Sequence, residues 1–119
     1  MIWLAVFVGG GLGSLLRFAI SKWMEQFQLD FAWATLAANL LSSILLGCLV
    51  GWTYRSGYQG HWRWFWMIGF CGGFSTFSTF TSETFMFVQN GQLTYALLNV
   101  GLSVLACLAG FYIGFRITI

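Results

Sequence analysis

The fold of this chain depends on the stretch at residues 69–81, Gly-Phe-Cys-Gly-Gly-Phe-Ser-Thr-Phe-Ser-Thr-Phe-Thr. Two adjacent glycines, Gly72 and Gly73, stand in an otherwise apolar segment and are followed by alternating hydroxyl and phenyl side chains. Glycine allows a helix to break, and a broken backbone is tolerated in a bilayer only where protein, water or an ion satisfies the freed polar groups. The stretch therefore predicts a broken membrane helix that lines a narrow pore.

The composition indicates an all-α membrane protein. Of the 119 residues, 59% are hydrophobic and 7% are charged, whereas soluble domains carry roughly a quarter charged residues. Long stretches without charge separate the few charged positions, and a membrane helix needs about 20 predominantly apolar residues. We therefore predict four transmembrane helices, at residues 2–22, 32–54, 64–88 and 92–116, in a single domain that spans residues 1–119. The third helix is expected to break near residues 72–75.

The same composition argues against two classes of function. The net charge of +2 is small and its charges are dispersed, whereas nucleic-acid-binding proteins concentrate basic residues on one surface. No arrangement of a nucleophile beside a base, as an enzyme would need, emerges from the sequence. We therefore expect a lipid bilayer as the surroundings, no nucleic-acid partner and no enzymatic activity.

The distribution of basic residues predicts insertion in both orientations. An even number of helices puts both termini on one side, with Arg55, Arg63 and Arg116, while Arg17 and Lys22 lie towards the other side. Orientation follows the Lys and Arg bias of short loops, and a difference of one residue gives only a weak preference. Four short helices also enclose too little space for a pore, so the sequence predicts an antiparallel, dual-topology homodimer.

Glycine pairs spaced four residues apart occur in every predicted helix. Small residues at this spacing allow two membrane helices to approach closely. We therefore expect close helix contacts at Gly9 with Gly13, Gly47 with Gly51, Gly69 with Gly73, and Gly110 with Gly114.

Three motifs resemble the small bacterial fluoride channels, the Fluc or CrcB family. They are Gly-Gly-Gly-Leu-Gly-Ser-Leu-Leu-Arg-Phe at 9–18, Thr-Leu-Ala-Ala-Asn-Leu-Leu at 35–41, and the block at 69–80. The resemblance covers essentially the whole chain. It implies a fluoride-selective channel of the bacterial cytoplasmic (inner) membrane that passively exports fluoride and so protects the cell from its toxicity. It also implies a homodimer with two fluoride pathways and a structural sodium ion (Na+) at the centre of the interface.

The resemblance assigns the pore to the third and second helices. Phe77 and Phe80 match the paired pore phenylalanines of the family, with Ser78 and Thr79 between them, and Asn39 matches an asparagine on the anion path. Phenyl edges carry partial positive charge, so they can contact an anion without trapping it. Hydroxyl and amide groups supply hydrogen-bond donors without a net charge. For Phe74, ordinary packing is the favoured interpretation.

The resemblance extends to further polar residues in the second, third and fourth helices. In the fourth helix, Asn99 and Ser103 fall where the family places polar pore-lining side chains, although many members have tyrosine at the position of Asn99. Glu83 also has a family counterpart, and its role is open between a pore residue and an interfacial or helix-capping acid. Ser42 stands where many relatives have glycine, which is expected to change packing only.

The sodium ion and the arginine complete the predicted site. Gly72 and Ser75 match family residues whose backbone carbonyls hold the ion, and hard cations prefer oxygen ligands. Arg17 is expected to have a structural role, because a guanidinium near a helix end can bond to carbonyl groups.

The sequence leaves two alternative functions open. A small proton-coupled multidrug exporter has the same number of helices and a similar length, but it needs a carboxylate in its first helix, and residues 1–20 contain none. A helix-packing accessory protein would use the glycines and hydroxyls only for assembly with a larger complex, which leaves the pattern at 69–81 unexplained.

Overall fold

The computed structural model describes residues 1–119, and all of its regular elements are helical. The helices are α1 (Ile2–Glu25), α2 (Trp33–Ser56), α3 (Trp64–Cys71 continued by Gly72–Phe74), α4 (Phe77–Gln89) and α5 (Leu93–Thr118). Three of them, α1, α2 and α5, are long and apolar enough to cross a membrane. The prediction of an all-α chain is therefore confirmed.

The three long helices lie close to their predicted limits, and each extends slightly further at its carboxyl end. Helix α2 ends where Gly57 takes a left-handed conformation, with φ of 66°, which glycine adopts without steric cost. Helix α1 runs to Glu25 because no glycine or proline interrupts it after Lys22. The differences at α2 and α5 are two residues, as is common at helix ends, and α1 extends three residues further.

The region at 64–88, predicted as one membrane helix with a break near residues 72–75, contains two helices. Helix α3 ends at Phe74, and Ser75 and Thr76 have extended backbone, with ψ of 156° and 120°. Helix α4 then begins at Phe77. Helix α3 is also π-helical over Trp64–Cys71, so its hydrogen bonds close a wider turn than in an α-helix. The sequence pattern did not predict this wider turn.

Glycines let α1 pack closely against α3. A Cβ atom on Gly9 would collide with the carbonyl oxygen of Phe65, and one on Gly13 would collide with that of Phe70. The backbones therefore approach too closely for any larger side chain at either position.

The same close approach joins α2 to α5. A Cβ atom on Gly47 would collide with the carbonyl oxygen of Phe111, and one on Gly114 would collide with that of Ile44. The expectation of close contacts at these glycines is confirmed. Two glycine-mediated helix pairs, α1 with α3 and α2 with α5, thus position the interruption between α3 and α4.

Candidate functional site

The interruption between α3 and α4 is stabilised by side chains that replace the missing helical hydrogen bonds. The Ser75 backbone N–H and its hydroxyl both donate to the Cys71 carbonyl oxygen, each at 3.0 Å. The Thr76 hydroxyl oxygen accepts a hydrogen bond from the Thr79 N–H at 3.2 Å, so Thr76 is an N-cap for α4. The Ser-Thr sequence at 75–76 therefore both ends one helix and begins the next.

Asn39 joins α2 to this interruption. Its Oδ1 accepts a hydrogen bond from the Thr76 N–H at 2.7 Å, and its Nδ2 donates to the Thr76 carbonyl oxygen at 3.2 Å. The amide thus pairs with both backbone groups of one residue. Because an amide NH₂ carries two hydrogens, one of them remains available to another acceptor.

Arg17 and Ser14 join α1 to the same region. The Arg17 Nε and the Ser14 hydroxyl each donate to the Gly73 carbonyl oxygen at 3.3 Å. This contact suits a guanidinium that holds two helices together. The structural role of Arg17 stays a prediction, which this geometry supports.

A groove of about 300 Å³ opens beside the interruption, and we call it the phenyl groove. The rings of Phe77 and Phe80 lie along it with centroids 5.5 Å apart and planes inclined by 39°. Phe77 is 78% exposed in the single chain. The residues that line the phenyl groove are Asn39, Ser43, Ser75, Thr76, Phe77, Phe80, Ser103, Val104 and Cys107.

Two of the predicted pore hydroxyls lie elsewhere. Thr79 lines a second cavity of about 250 Å³, together with Arg17 and Thr35. Ser78 is exposed, and its Oγ lies 3.2 Å from the Thr76 Oγ1. They diverge from the phenyl rings because positions one and two residues along a helix point in different directions.

Glu83 lies at a third cavity, of about 520 Å³, which the two other carboxylates of the chain, Glu25 and Asp30, also line. Its Oε1 accepts a hydrogen bond from the Thr35 hydroxyl at 2.6 Å. Its Oε2 is buried without a hydrogen-bond partner in the chain. Within one chain, Glu83 and the phenyl groove therefore belong to separate cavities.

The two polar residues of α5 also differ in their surroundings. Ser103 lines the phenyl groove. Asn99 does not: it is 1% exposed, and its Nδ2 donates to the Thr84 hydroxyl at 2.9 Å. In the single chain its amide is held between α5 and α4, and its place on the pathway stays a prediction.

The backbone carbonyl groups of Gly72 and Ser75 are suited to the predicted role of sodium ligands. In a continuous helix, the Thr76 N–H would donate to the Gly72 carbonyl and the Thr79 N–H to the Ser75 carbonyl. Here Thr76 donates to Asn39 and Thr79 donates to the Thr76 hydroxyl. Both carbonyls have thus lost their usual donors and can accept a hard cation.

Sequence reasoning missed two polar residues of the phenyl groove, Ser43 and Cys107. Ser43 follows Asn39 by four residues, and Cys107 follows Ser103 by four. Residues four apart share a helix face. This spacing was the signal that could have identified both of them.

The sequence matches known proteins over almost its whole length. Residues 4–115 match the family model described as CrcB-like protein, Camphor Resistance (CrcB). The fluoride-specific ion channel FluC of Rhodospirillum rubrum is 41% identical over 118 residues, which cover 96% of this chain and 92% of the relative. The fluoride-specific ion channel FluC of Pyrococcus abyssi is 40% identical over 114 residues, which cover 94% and 91%.

The family match and the three apolar helices together indicate a multi-pass protein of the cytoplasmic (inner) membrane. The matched region includes all three motifs and every residue of the phenyl groove. The chain belongs to the CrcB family.

Proposed function

We propose that this chain forms a fluoride-selective channel that lets fluoride leave the cytoplasm passively. The observation that carries the proposal is the phenyl groove, in a chain about 40% identical to proteins named fluoride-specific ion channels. A cell interior that is electrically negative drives an anion outward without a further energy source. Such a pathway lowers cytoplasmic fluoride and protects the cell from its toxicity.

The groove offers what a small, strongly hydrated anion requires. A selective pore must replace hydration with several donors and still hold the ion weakly enough to release it. Phenyl edges at Phe77 and Phe80 carry partial positive charge, and the Asn39 amide and Ser103 hydroxyl add neutral donors. Helix α4 also begins at the groove, and its first N–H groups form the positive end of the helix dipole. These groups attract fluoride without a fixed positive charge.

In this proposal, α3 and α4 together form the third membrane crossing, broken at Ser75 and Thr76. At 1.5 Å per residue the α-helical parts, Gly72–Phe74 and Phe77–Gln89, extend about 24 Å. The π-helical turns of α3 and the extended residues 75–76 add to this length, and the hydrocarbon core of a bilayer is about 30 Å thick. The side-chain hydrogen bonds at the interruption satisfy much of the backbone that a bilayer leaves without water.

The proposed assembly is an antiparallel homodimer with two pathways. Phe77 is largely exposed and the phenyl groove is open along one side of the chain. A second copy related by a twofold axis would cover both grooves at once, because a twofold interface uses the same surface on each subunit.

A structural sodium ion at the centre of this dimer is also part of the proposal. The carbonyls of Gly72 and Ser75 from both subunits would supply four oxygen ligands. When bound, the ion would supply a positive charge that holds these carbonyl dipoles together across the interface.

The test is potassium-driven anion efflux from liposomes that contain the purified protein, with valinomycin present and fluoride or chloride tested separately. We expect fluoride efflux, no chloride efflux and no need for an imposed proton gradient. Absence of fluoride efflux from inserted, dimeric protein would overturn the proposal. A proton-coupled exporter would instead move organic cations and depend on the proton gradient.

A further inference from the structure

Ser43 lies on the wall of the phenyl groove and has no assigned role. It stands near the middle of α2, one helical turn after Asn39, and shares the groove with Phe77 and Phe80. Its residue is partly buried. Its hydroxyl therefore lies well away from both ends of the helix.

The Ser43 hydroxyl differs from other helical hydroxyls in its hydrogen bonding. In a helix, a serine or threonine hydroxyl can donate to the carbonyl oxygen four residues earlier. The hydroxyls of Thr53, Thr81 and Thr84 each do so at 2.8 Å, whereas that of Ser43 makes no hydrogen bond within the chain. The other serine and threonine hydroxyls without a partner belong to exposed residues, namely Ser21, Ser82 and Thr94.

The other hydroxyls of the phenyl groove are already engaged within the chain. The Ser75 hydroxyl donates to the Cys71 carbonyl at 3.0 Å, and the Thr76 hydroxyl bonds to Thr79 at 3.2 Å. The Ser103 hydroxyl has a long contact of 3.5 Å to Asn99. Ser43 is thus the hydroxyl of this groove that can bind an anion without first breaking an internal hydrogen bond.

We propose that the Ser43 hydroxyl donates a hydrogen bond to fluoride as the ion passes Phe77 and Phe80. The inference rests on the proposed channel function and adds one residue to its pathway. The free hydrogen of the Asn39 Nδ2 and the Ser43 hydroxyl come from adjacent turns on one face of α2. Together they offer two neutral donors to an ion that has lost part of its hydration.

The test compares Ser43→Ala with Ser43→Thr in the liposome efflux assay. A hydrogen bond to a charged group contributes enough that its loss should lower the fluoride efflux rate about tenfold in Ser43→Ala. Ser43→Thr keeps a hydroxyl at the same position and should retain most of the rate. The matched control is Thr53→Val, which removes an α2 hydroxyl that is bonded to the Leu49 carbonyl and lies outside the groove.

Each result has a definite meaning when the variants elute from size exclusion as the wild-type protein does. An unchanged rate in Ser43→Ala, beside an active wild-type protein, would overturn the proposal for Ser43 and leave the channel function intact. Equal loss in Ser43→Ala and Ser43→Thr would also overturn it, because the size of the side chain would then matter rather than its hydroxyl. An inactive wild-type protein would instead overturn the proposed channel function.

Discussion

The two asparagines in the membrane helices show how single side chains link one helix to another. Asn39 pairs with both backbone groups of Thr76, and Asn99 donates to Thr84. An unpaired polar group in a membrane helix costs on the order of a kcal/mol or more. Both amides therefore stabilise the fold, whether or not fluoride also contacts them.

Among the single side chains, we expect the ring of Phe80 to have the clearest effect on fluoride conduction. Phe80→Ile removes the positive ring edge with a limited change in volume, so we expect a sharp fall in fluoride efflux from liposomes. Phe85→Ile is the matched control, because Phe85 lies in the same helix, is 58% exposed and does not line the phenyl groove. Normal efflux from correctly assembled Phe80→Ile protein would show that the ring is not needed.

At the scale of elements, the interruption between α3 and α4 depends on contacts from three helices. Helix α1 supplies Arg17 to the Gly73 carbonyl, α2 supplies Asn39 to Thr76, and α4 begins with its own cap at Thr76. The extended residues 75–76 are thus held by hydrogen bonds on several sides. We therefore expect the interruption to be rigid.

The adjacent glycines of α3 should respond differently to substitution. A Cβ atom on Gly73 would collide with the Gly10 carbonyl of α1, whereas one on Gly72 meets nothing within 4 Å in the chain. Gly73→Val should therefore lower the stability of the fold by about 1–3 kcal/mol or more, measured as thermal unfolding in detergent. Gly72→Val should leave the packing within the chain undisturbed, so any fall in its unfolding temperature should come only from loss of the dimer.

The Gly72→Val variant can also be tested for assembly of the dimer. If Gly72 faces the partner subunit in the proposed dimer, Gly72→Val should shift the protein from dimer towards monomer in size exclusion with light scattering. A stable Gly72→Val dimer that still conducts fluoride would contradict the placement of Gly72 at the interface.

At the scale of the whole molecule, charge is divided between the two ends. The carboxylates Glu25 and Asp30 line a cavity at the end where α1 leads into α2, while Arg55 and Arg116 lie in the last turns of α2 and α5 at the opposite end. Basic residues nevertheless differ by only one between the ends. The bias that orients membrane proteins is therefore weak.

Dual topology can be tested by labelling in intact cells. In a variant whose native cysteines are replaced by alanine, Gln59→Cys and Asn90→Cys report opposite ends of the bundle. A membrane-impermeant maleimide should label roughly half of each single-cysteine protein, because a near-zero bias populates both orientations. Labelling of one position and not the other would show a single orientation.

The sequence by itself determined the class of the protein and the extents of its long helices. Helices α1, α2 and α5 begin and end within three residues of their predicted limits. Hydrophobic runs and their lengths are local properties of a chain, so they can be read without knowledge of the fold. The motifs that indicate the CrcB family are local in the same sense.

Only the tertiary structure decided which side chains share a cavity. It placed Ser43 beside Phe77 and Phe80, buried Asn99 against Thr84, and put Glu83 at a separate cavity. These outcomes depend on contacts between helices far apart in sequence, such as the pairing of Asn39 with Thr76. Helical spacing shows which residues share a face, but the neighbours packed against that face determine which hydroxyls and amides remain free to bind an ion.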